Sequence, residues 1–78
     1  MELKELVIVI AKALVDEPDS VTVREVDGDR SVVIELSVSK PCLGSIIGKH
    51  GRNVQAIRTI VNAAAAKMNK RVMVDVIE

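Results

Sequence analysis

The chain has 78 residues and a mass of 8.4 kDa, the size of one small domain, and 49% of its residues are hydrophobic, which favours a packed core over disorder. It has no aromatic residue, one cysteine and one histidine, which argues against base stacking on Phe, Tyr or Trp, an internal disulfide and a four-ligand zinc site. The 11 basic and 11 acidic residues give a formal net charge of zero, and the single cysteine fits a reducing, cytoplasmic setting.

The first half of the chain predicts one helix followed by a hairpin of two strands. From residue 2 to about residue 16, apolar residues recur at the spacing of an amphipathic helix: Leu3, Leu6, Val7, Ile10, Ala13 and Leu14. The segment Asp16–Asp19 contains a proline and ends this helix. Apolar residues then alternate with polar ones in residues 21–24 and 31–38, and the turn Asp27-Gly28-Asp29 between these runs is typical of a hairpin.

The second half of the chain predicts two helices and a strand. Residues 41–47 predict a short helix that has proline at its first position and stops at Gly48. Residues 52–68 predict a longer helix and residues 71–77 a strand, so the predicted order is α-β-β-α-α-β. The longest early apolar run, Leu6–Ala11, falls far short of the ~20 apolar residues that a spanning helix needs, and no membrane insertion is expected.

Charge is distributed unevenly along the chain. Residues 1–39 carry four basic and nine acidic residues, a net charge of −5, whereas residues 40–71 carry seven basic residues and no acidic one. Residues 72–78 carry two further acids, which returns the total to zero. A basic segment of 32 residues indicates a face that binds a polyanion, although the same charges also fit a merely solvated basic helix.

Two glycines, Gly48 and Gly51, bracket Lys49 and His50 at the junction of the two predicted helices. Glycine adopts positive φ and has no Cβ, so both residues turn the chain and let the backbone of a ligand approach closely. The amide groups at the start of the longer helix attract anions, and Arg52 adds a second positive charge to that of Lys49. Phosphates of a single strand suit this loop, and apolar side chains beside it are expected to form a floor for bases: Leu43, Ile47 and Val54.

The segment 46–57, IIGKHGRNVQAI, resembles the KH-domain signature, in which a GXXG loop joins two helices and clamps four backbone nucleotides. The element order is similar to the type II KH arrangement. With ALVDEPDSV early and IRTIVNAAAAKMNKRVMVDVI late, nearly the whole chain resembles the small bacterial KH proteins of the KhpA family. The resemblance implies an α+β fold with a three-stranded sheet covered by helices, and a single KH domain over residues 1–78. It identifies residues 48–51 as the RNA-binding loop, with Ile47 and Arg52 beside it.

The same resemblance implies a role in the cell. It implies cytoplasmic binding of single-stranded RNA, action as an RNA chaperone or post-transcriptional regulator, and a link to cell shape, cell wall biogenesis and envelope growth through a larger KH-containing partner. No cofactor and no metal is implied. Lys40 and Arg58 are expected to add to the positive field around the loop. Base selectivity is expected to be weak because aromatic residues are absent, and nothing in the loop distinguishes RNA from single-stranded DNA.

Other interpretations of the glycine loop are less favourable. A plain turn between helices needs no Lys-His pair in a segment without acids. A P-loop requires four residues between its glycines, whereas three residues separate Gly44 from Gly48, and His50 occupies the place of the Ser or Thr that binds magnesium. As a general base, His50 has no neighbouring nucleophile and no carboxylate in its segment to orient it, so the chain is not expected to be an enzyme.

The longer predicted helix carries two apolar stripes. The first is sufficient for a core contact: Val54, Ile57, Val61, Ala64, Ala65 and Met68. The second lies beside it: Ala56, Ile60 and Ala63. The second stripe fits either a wide buried face under the sheet or a surface for a homodimer or a heterodimer with a larger KH-containing protein. The alternative to an RNA-binding protein is therefore a protein–protein interaction module in which RNA binding is secondary.

Overall fold

In the computed structural model, which describes residues 2–77, helices pack on one face of a three-stranded sheet. The elements in chain order are helix α1 (Leu3–Leu14), strands β1 (Thr22–Asp27) and β2 (Ser31–Ser37), helices α2 (Lys40–Ile47) and α3 (Arg52–Lys67), and strand β3 (Arg71–Ile77). The predicted α+β class and the order α-β-β-α-α-β are confirmed. The architecture is that of a type II KH domain.

The connection between β2 and β3 positions the glycine loop. β2 is the central strand of the sheet; β1 pairs with it antiparallel and β3 pairs with it parallel. The predicted hairpin turn between β1 and β2 is present, and the Gly28 amide donates to the Ser31 carbonyl at 2.7 Å. Parallel neighbours need a crossover connection, which α2, α3 and the loop between them provide. β3 is consequently an edge strand with one unpaired side.

The core lies between the sheet and the helices. Alternate residues of β2 are buried, as the period of two predicts, because successive side chains of a strand point to opposite faces. Cys42 is buried in the core, where its thiol donates to Glu17 Oε1 and accepts from Ser20 Oγ, each at 3.7 Å. On the opposite face of the sheet Val26 and Met73 are exposed. The largest fully buried side chains are Ile34, Leu36, Ile46, Ile57, Val7 and Val61.

Helix α1 is shorter than the 2–16 prediction, and five of the six residues of its predicted apolar stripe pack in or against the core: Leu3, Leu6, Val7, Ile10 and Leu14. Its buried residues are spaced four apart: Leu3, Val7 and Ala11. The expectation that Ala13 faces the core was wrong: Ala13 is exposed, since it lies two positions and about 200° around the helix from Ala11. The proline-containing segment that follows forms a short 3₁₀ turn, Pro18–Ser20, rather than a simple break.

Helix α2 agrees with its prediction to within one residue. It begins at Lys40, so Pro41 occupies the second helical position and not the first. It ends at Gly48, whose amide donates to the Gly44 carbonyl at 2.8 Å. Its buried residues, Cys42 and Ile46, are four positions apart and therefore lie on one side of the helix. This fixes one face of α2 against the core and brings its C-terminus to the molecular surface.

Helix α3 ends one residue earlier than predicted. Asn69 has φ 55°, and the Lys70 amide donates to the Ala65 carbonyl at 3.0 Å, which is the Schellman arrangement of a helix C-terminus. The assignment of Met68 to the core stripe was wrong, because Met68 follows the last helical residue and is 45% exposed. The buried stripe of α3 comprises Val54, Ile57, Val61 and Ala65, and Ala64 is half-buried beside it.

Candidate nucleic-acid interface

Residues 48–51 form a tight turn between α2 and α3. The Gly51 amide donates to the Gly48 carbonyl at 3.2 Å, and the Arg52 amide donates to the Lys49 carbonyl. Gly48 and Gly51 both have φ 74°, and His50 has φ 57°. Positive φ favours glycine, so Gly48 and Gly51 let the chain change direction within four residues. His50 also adopts the left-handed conformation, which is unfavourable for a residue other than glycine.

Gly48 is required for two reasons. Its φ 74° and ψ 174° lie in a region that is nearly exclusive to glycine. A Cβ at this position would also lie 2.6 Å from Asn53 Cγ and 2.9 Å from the Asn53 backbone nitrogen. Gly51 differs, since a Cβ there would meet only Val54 Cγ1, at 4.0 Å. The end of α2 and the start of α3 are therefore in direct contact at Gly48.

Asn53 is a structural residue of this site that the sequence analysis missed. Its Nδ2 donates to the Ser45 carbonyl at 2.7 Å, so the first turn of α3 is bound to the last turn of α2 across the loop. The side chain is half-buried. The sequence does carry a signal for it, because an asparagine two positions after Gly51 offers an amide that can satisfy a free carbonyl at the end of α2.

The start of α3 is electropositive and open. Gly51 is the N-cap, so no side chain caps the first amide groups, and the first turn contains no acidic residue. Lys49, His50 and Arg52 are all exposed. A cation at this end of a helix is unfavourable to the helix dipole, whereas an anion is favourable. The cations at the start of α3 therefore reduce the stability of this helix on its own, and a phosphate bound there would stabilise it.

The predicted apolar floor is only partly accessible. Ile47 is 37% exposed and Leu43 is half-buried, so both present apolar surface next to the loop. Val54 is 9% exposed, because it lies beneath Gly51 on the buried side of α3. Ile47 is thus the most exposed of the three predicted floor residues.

The two outlying basic residues occupy different positions relative to the loop. Lys40 is exposed but lies at the opposite end of α2, about 10 Å from Ile47 along the helix axis. Arg58 lies two turns along α3, and its Nε donates to the Val74 carbonyl at 3.1 Å. The structure therefore brings Arg58 to the edge of the sheet and leaves Lys40 at a distance from residues 48–51.

A groove lies between α3 and β3. It has a volume of about 250 Å³ and is lined by Arg58, Asn62 and residues 72–75. The sequence analysis did not identify this groove, because its two walls come from separate elements and only Arg58 had been singled out. No local motif marks Asn62 or Asp75, so the sequence alone offered no signal for it.

The second apolar stripe of α3 is on the surface. Ala56 and Ala63 are exposed, and Ile60 is 48% exposed. The interpretation of this stripe as a wide buried face under the sheet was therefore wrong: Ile60 lies about 100° around the helix from the buried Val61. The stripe is available for contact with another molecule.

The described part of the chain, residues 2–77, contains no helix with the length and apolar character required to cross a membrane.

A family model and individual relatives both match nearly the whole chain. Residues 4–76 match the family model "KhpA/KhpB, KH domain". The RNA-binding protein KhpA of Clostridium perfringens (strain 13 / Type A) is 55% identical over 75 residues, which cover 96% of this chain and 100% of that protein. The RNA-binding protein KhpA of Caldanaerobacter subterraneus subsp. tengcongensis is 58% identical over 73 residues, which cover 94% and 97%.

Among solved structures, the fold is similar to part of Era, in the crystal structure of its complex with MgGDPNP and nucleotides 1506–1542 of 16S ribosomal RNA. The TM-score is 0.68 at 24% sequence identity, and the matched region covers 95% of this chain and 28% of the Era chain. This likeness concerns the fold alone.

Proposed function

The chain belongs to the KhpA/KhpB family of KH-domain proteins, and on that premise we propose that residues 47–52 hold the sugar–phosphate backbone of single-stranded RNA without catalysing a reaction. One observation carries the proposal. The N-terminus of α3 has no side-chain cap and no acid in its first turn, and exposed cations adjoin it. Amide groups and positive charge converge where a phosphate would be stabilised.

Each residue of the loop has a distinct role in this proposal. Lys49 and Arg52 contact phosphates, and His50 supplies a further donor. Gly48 and Gly51 let the strand approach the backbone because they have no side chains. Two further groups assist: apolar surface for bases from Leu43 and Ile47, with the buried Val54 supporting the loop from beneath, and long-range positive field from Lys40 and Arg58.

The double variant Lys49→Asp/His50→Asp tests the loop. Both side chains are exposed, so the fold should be retained, while two carboxylates next to α3 should repel phosphate and abolish binding of a short oligoribonucleotide. Binding is measured by gel shift or fluorescence anisotropy, and folding by circular dichroism. The matched control is Lys12→Asp/Thr22→Asp, which changes the charge equally at exposed positions outside the basic segment. A folded loop variant with wild-type affinity would show that RNA binds elsewhere.

We propose further, from the family, that the chain acts in the cytoplasm as an RNA chaperone or post-transcriptional regulator linked to cell shape, cell wall biogenesis and envelope growth. If RNA binding at the loop underlies that role, cells carrying only Lys49→Asp/His50→Asp should have the same shape defect as cells lacking the chain. Normal shape with the loop variant would separate the cellular role from RNA binding.

The exposed stripe of α3 favours a second candidate function, pairing with another protein. Ile60 is 48% exposed between two small alanines, Ala56 and Ala63, and small residues let a second helix approach closely. The partner is a second copy of this chain or a larger KH-containing protein. Ile60→Asp should convert dimers into folded monomers in sedimentation analysis, whereas Val9→Asp, at a 55% exposed position of α1, should leave the mass unchanged. An unchanged sedimentation mass in Ile60→Asp would remove the homodimer.

A further inference from the structure

The outer edge of β3 carries backbone groups that the sheet leaves unpaired, because β3 pairs with β2 on one side only. The Arg71 amide donates to the Arg30 carbonyl at 2.9 Å, so the odd-numbered residues of β3 direct their backbone groups toward β2 and the even-numbered residues direct theirs outward. Arg58 agrees with this alternation, since its Nε reaches the Val74 carbonyl from α3 at 3.1 Å. An edge of this kind is a template for another strand.

Two charged side chains of β3 lie on the face of the sheet opposite the helices. Arg71 and Asp75 are exposed there, because the alternate valines of β3 are buried on the helix side. The residue opposite Asp75 on β2 is Glu35, another acid. The ion pair found within residues 2–77 joins Glu35 to Arg24 and includes neither Arg71 nor Asp75. Both charges are therefore available to a partner strand.

A second copy of β3 supplies both partners in one register. When two copies run antiparallel with Met73 opposite Met73, Arg71 of each copy lies opposite Asp75 of the other. Val72 then lies opposite Val74, and the outward backbone groups of these two residues form the hydrogen-bonded pairs. The charged residues and Met73 fall at non-hydrogen-bonded pairs, where opposing side chains are closest. A shift of two residues in either direction sets a charge against Met73 and loses both ion pairs.

Strand β1, at the other edge of the sheet, does not have this complementarity. Near its middle the twofold antiparallel registers are centred on Arg24, Glu25 or Val26. The first sets two arginines opposite each other, the second sets two glutamates opposite each other, and the third sets Glu25 against Asp27. Like charges directly opposite destabilise a strand pair. The match at β3 is therefore specific to that edge.

We propose that the edge of β3 pairs with β3 of a second copy of this chain, antiparallel about Met73, and that Arg58 limits this pairing. The Val74 carbonyl that Arg58 occupies is the acceptor that the Val72 amide of the second copy requires. The two Arg58 side chains would also approach each other at the seam, and α3 contains no acid to offset their charge. A charged side chain on an edge is a common protection against pairing.

Disulfide trapping in the otherwise wild-type chain tests the register. Non-hydrogen-bonded antiparallel partners have Cα atoms about 4.5 Å apart, which is within the span of a disulfide, so Met73→Cys should cross-link to its own copy. Val26→Cys is the matched control, because Val26 is exposed on the same face of the sheet but on β1. Met73→Cys should cross-link at least about tenfold faster at equal concentration, because pairing holds its thiols within reach of each other. The native Cys42 is buried in both variants.

Charge reversal in the Met73→Cys chain tests the complementarity. Arg71→Asp sets two carboxylates opposite each other on both sides of Met73 and should slow the cross-linking to the rate of the Val26→Cys control. Arg71→Asp/Asp75→Arg exchanges the two charges, so opposite charges again face each other, and the fast rate should return. If Arg71→Asp unfolds in circular dichroism, Asp75→Arg decides the question, since it sets two arginines opposite each other instead.

Two further variants of the Met73→Cys chain test the part played by α3. Arg58→Gln removes a charge and frees the Val74 carbonyl, so it should accelerate the cross-linking. Ile60→Asp alters the exposed stripe of α3, on the helix side of the molecule, and should leave the rate unchanged because the β3 seam does not include that stripe.

The outcomes separate the parts of this inference, which goes beyond the proposed function and does not depend on RNA binding. Equal rates for Met73→Cys and Val26→Cys would overturn the pairing. Fast cross-linking that persists in folded Arg71→Asp would overturn the register. An unchanged or lower rate in folded Arg58→Gln would overturn the limiting role of Arg58.

Discussion

Gly48 and Gly51 have the same φ of 74°, but they differ in what surrounds them. Gly48→Ala would force a Cβ to within 2.9 Å of the Asn53 backbone nitrogen in a region of φ and ψ that is nearly exclusive to glycine. Gly51→Ala would meet only the left-handed penalty of about 1–2 kcal/mol. We expect Gly48→Ala to cost about 1–3 kcal/mol more in the free energy of unfolding, measured by urea denaturation, because overpacking adds to strain.

Asparagine provides the control for this comparison, because it tolerates the left-handed region better than alanine does. Gly51 has ψ 14°, inside that region, so Gly51→Asn should be less destabilising than Gly51→Ala. Gly48 has ψ 174°, outside it, so Gly48→Asn should be no better than Gly48→Ala. Equal losses of stability at the two glycines would contradict the assigned contact between Gly48 and Asn53.

At the scale of an element, strand β1 contains two neighbouring acidic side chains, and loss of hydration together with their repulsion favours the protonated form of Glu25. Glu25 and Asp27 are two positions apart and therefore share one face of the strand. Partial loss of hydration raises the pKa of Glu25 above its ordinary value of 4.5; Asp27 raises this pKa further by its charge and its hydrogen bond, Glu2 also raises it, and Lys70 lowers it.

Glu25→Gln should therefore stabilise the chain at neutral pH. The folded chain retains a proton on Glu25 at pH values where the unfolded chain has released it, so this group loses stability as pH rises from 4.5 through the raised pKa. The gain should be below about 1 kcal/mol, as for other exposed charges, and should vanish below pH 4, where the carboxyl is protonated in both states. Thermal unfolding from pH 3.5 to 8 measures it.

A suitable control is Asp29→Asn, which removes one negative charge from the turn of the same hairpin. A stability difference between wild type and Glu25→Gln that is constant across the whole pH range would contradict the raised pKa of Glu25.

The elements that the sequence predicted well are those whose boundaries depend on local chemistry. Gly48 ends α2 where predicted, and strand β3 has its predicted bounds, because glycine and the period of two act within a few residues. The bond from Asn53 to the Ser45 carbonyl joins two helices, and the groove joins α3 to β3. Such contacts depend on how elements pack, and sequence spacing does not specify that. The error at Ala13 has the same origin, since propensity does not determine which face of α1 the core accepts.

At the scale of the whole molecule, the basic and acidic segments of the sequence form different elements of the fold. The segment 40–71, with seven basic residues and no acid, comprises α2, the loop and α3 and reaches the first residue of β3. The net charge of −5 belongs to the segment that forms α1, β1 and β2. Since the total charge is zero, we expect attraction of a polyanion to depend on local contacts with the basic segment 40–71 and not on the net charge of the molecule.

The salt dependence of RNA binding tests whether local contacts or the net charge attract the ligand. If residues 48–51 clamp four backbone nucleotides, as proposed, they neutralise at most about four phosphates, so the logarithm of the binding constant should fall with the logarithm of salt concentration with a slope no steeper than about −2.8. Lys49→Gln removes one proposed phosphate contact and should make the slope shallower by about 0.7. Lys12→Gln makes the same change of charge on α1 and should leave the slope as it is. Equal changes of slope in the two variants would mean that the ligand responds to the net charge of the molecule, and that no particular phosphate is bound at Lys49.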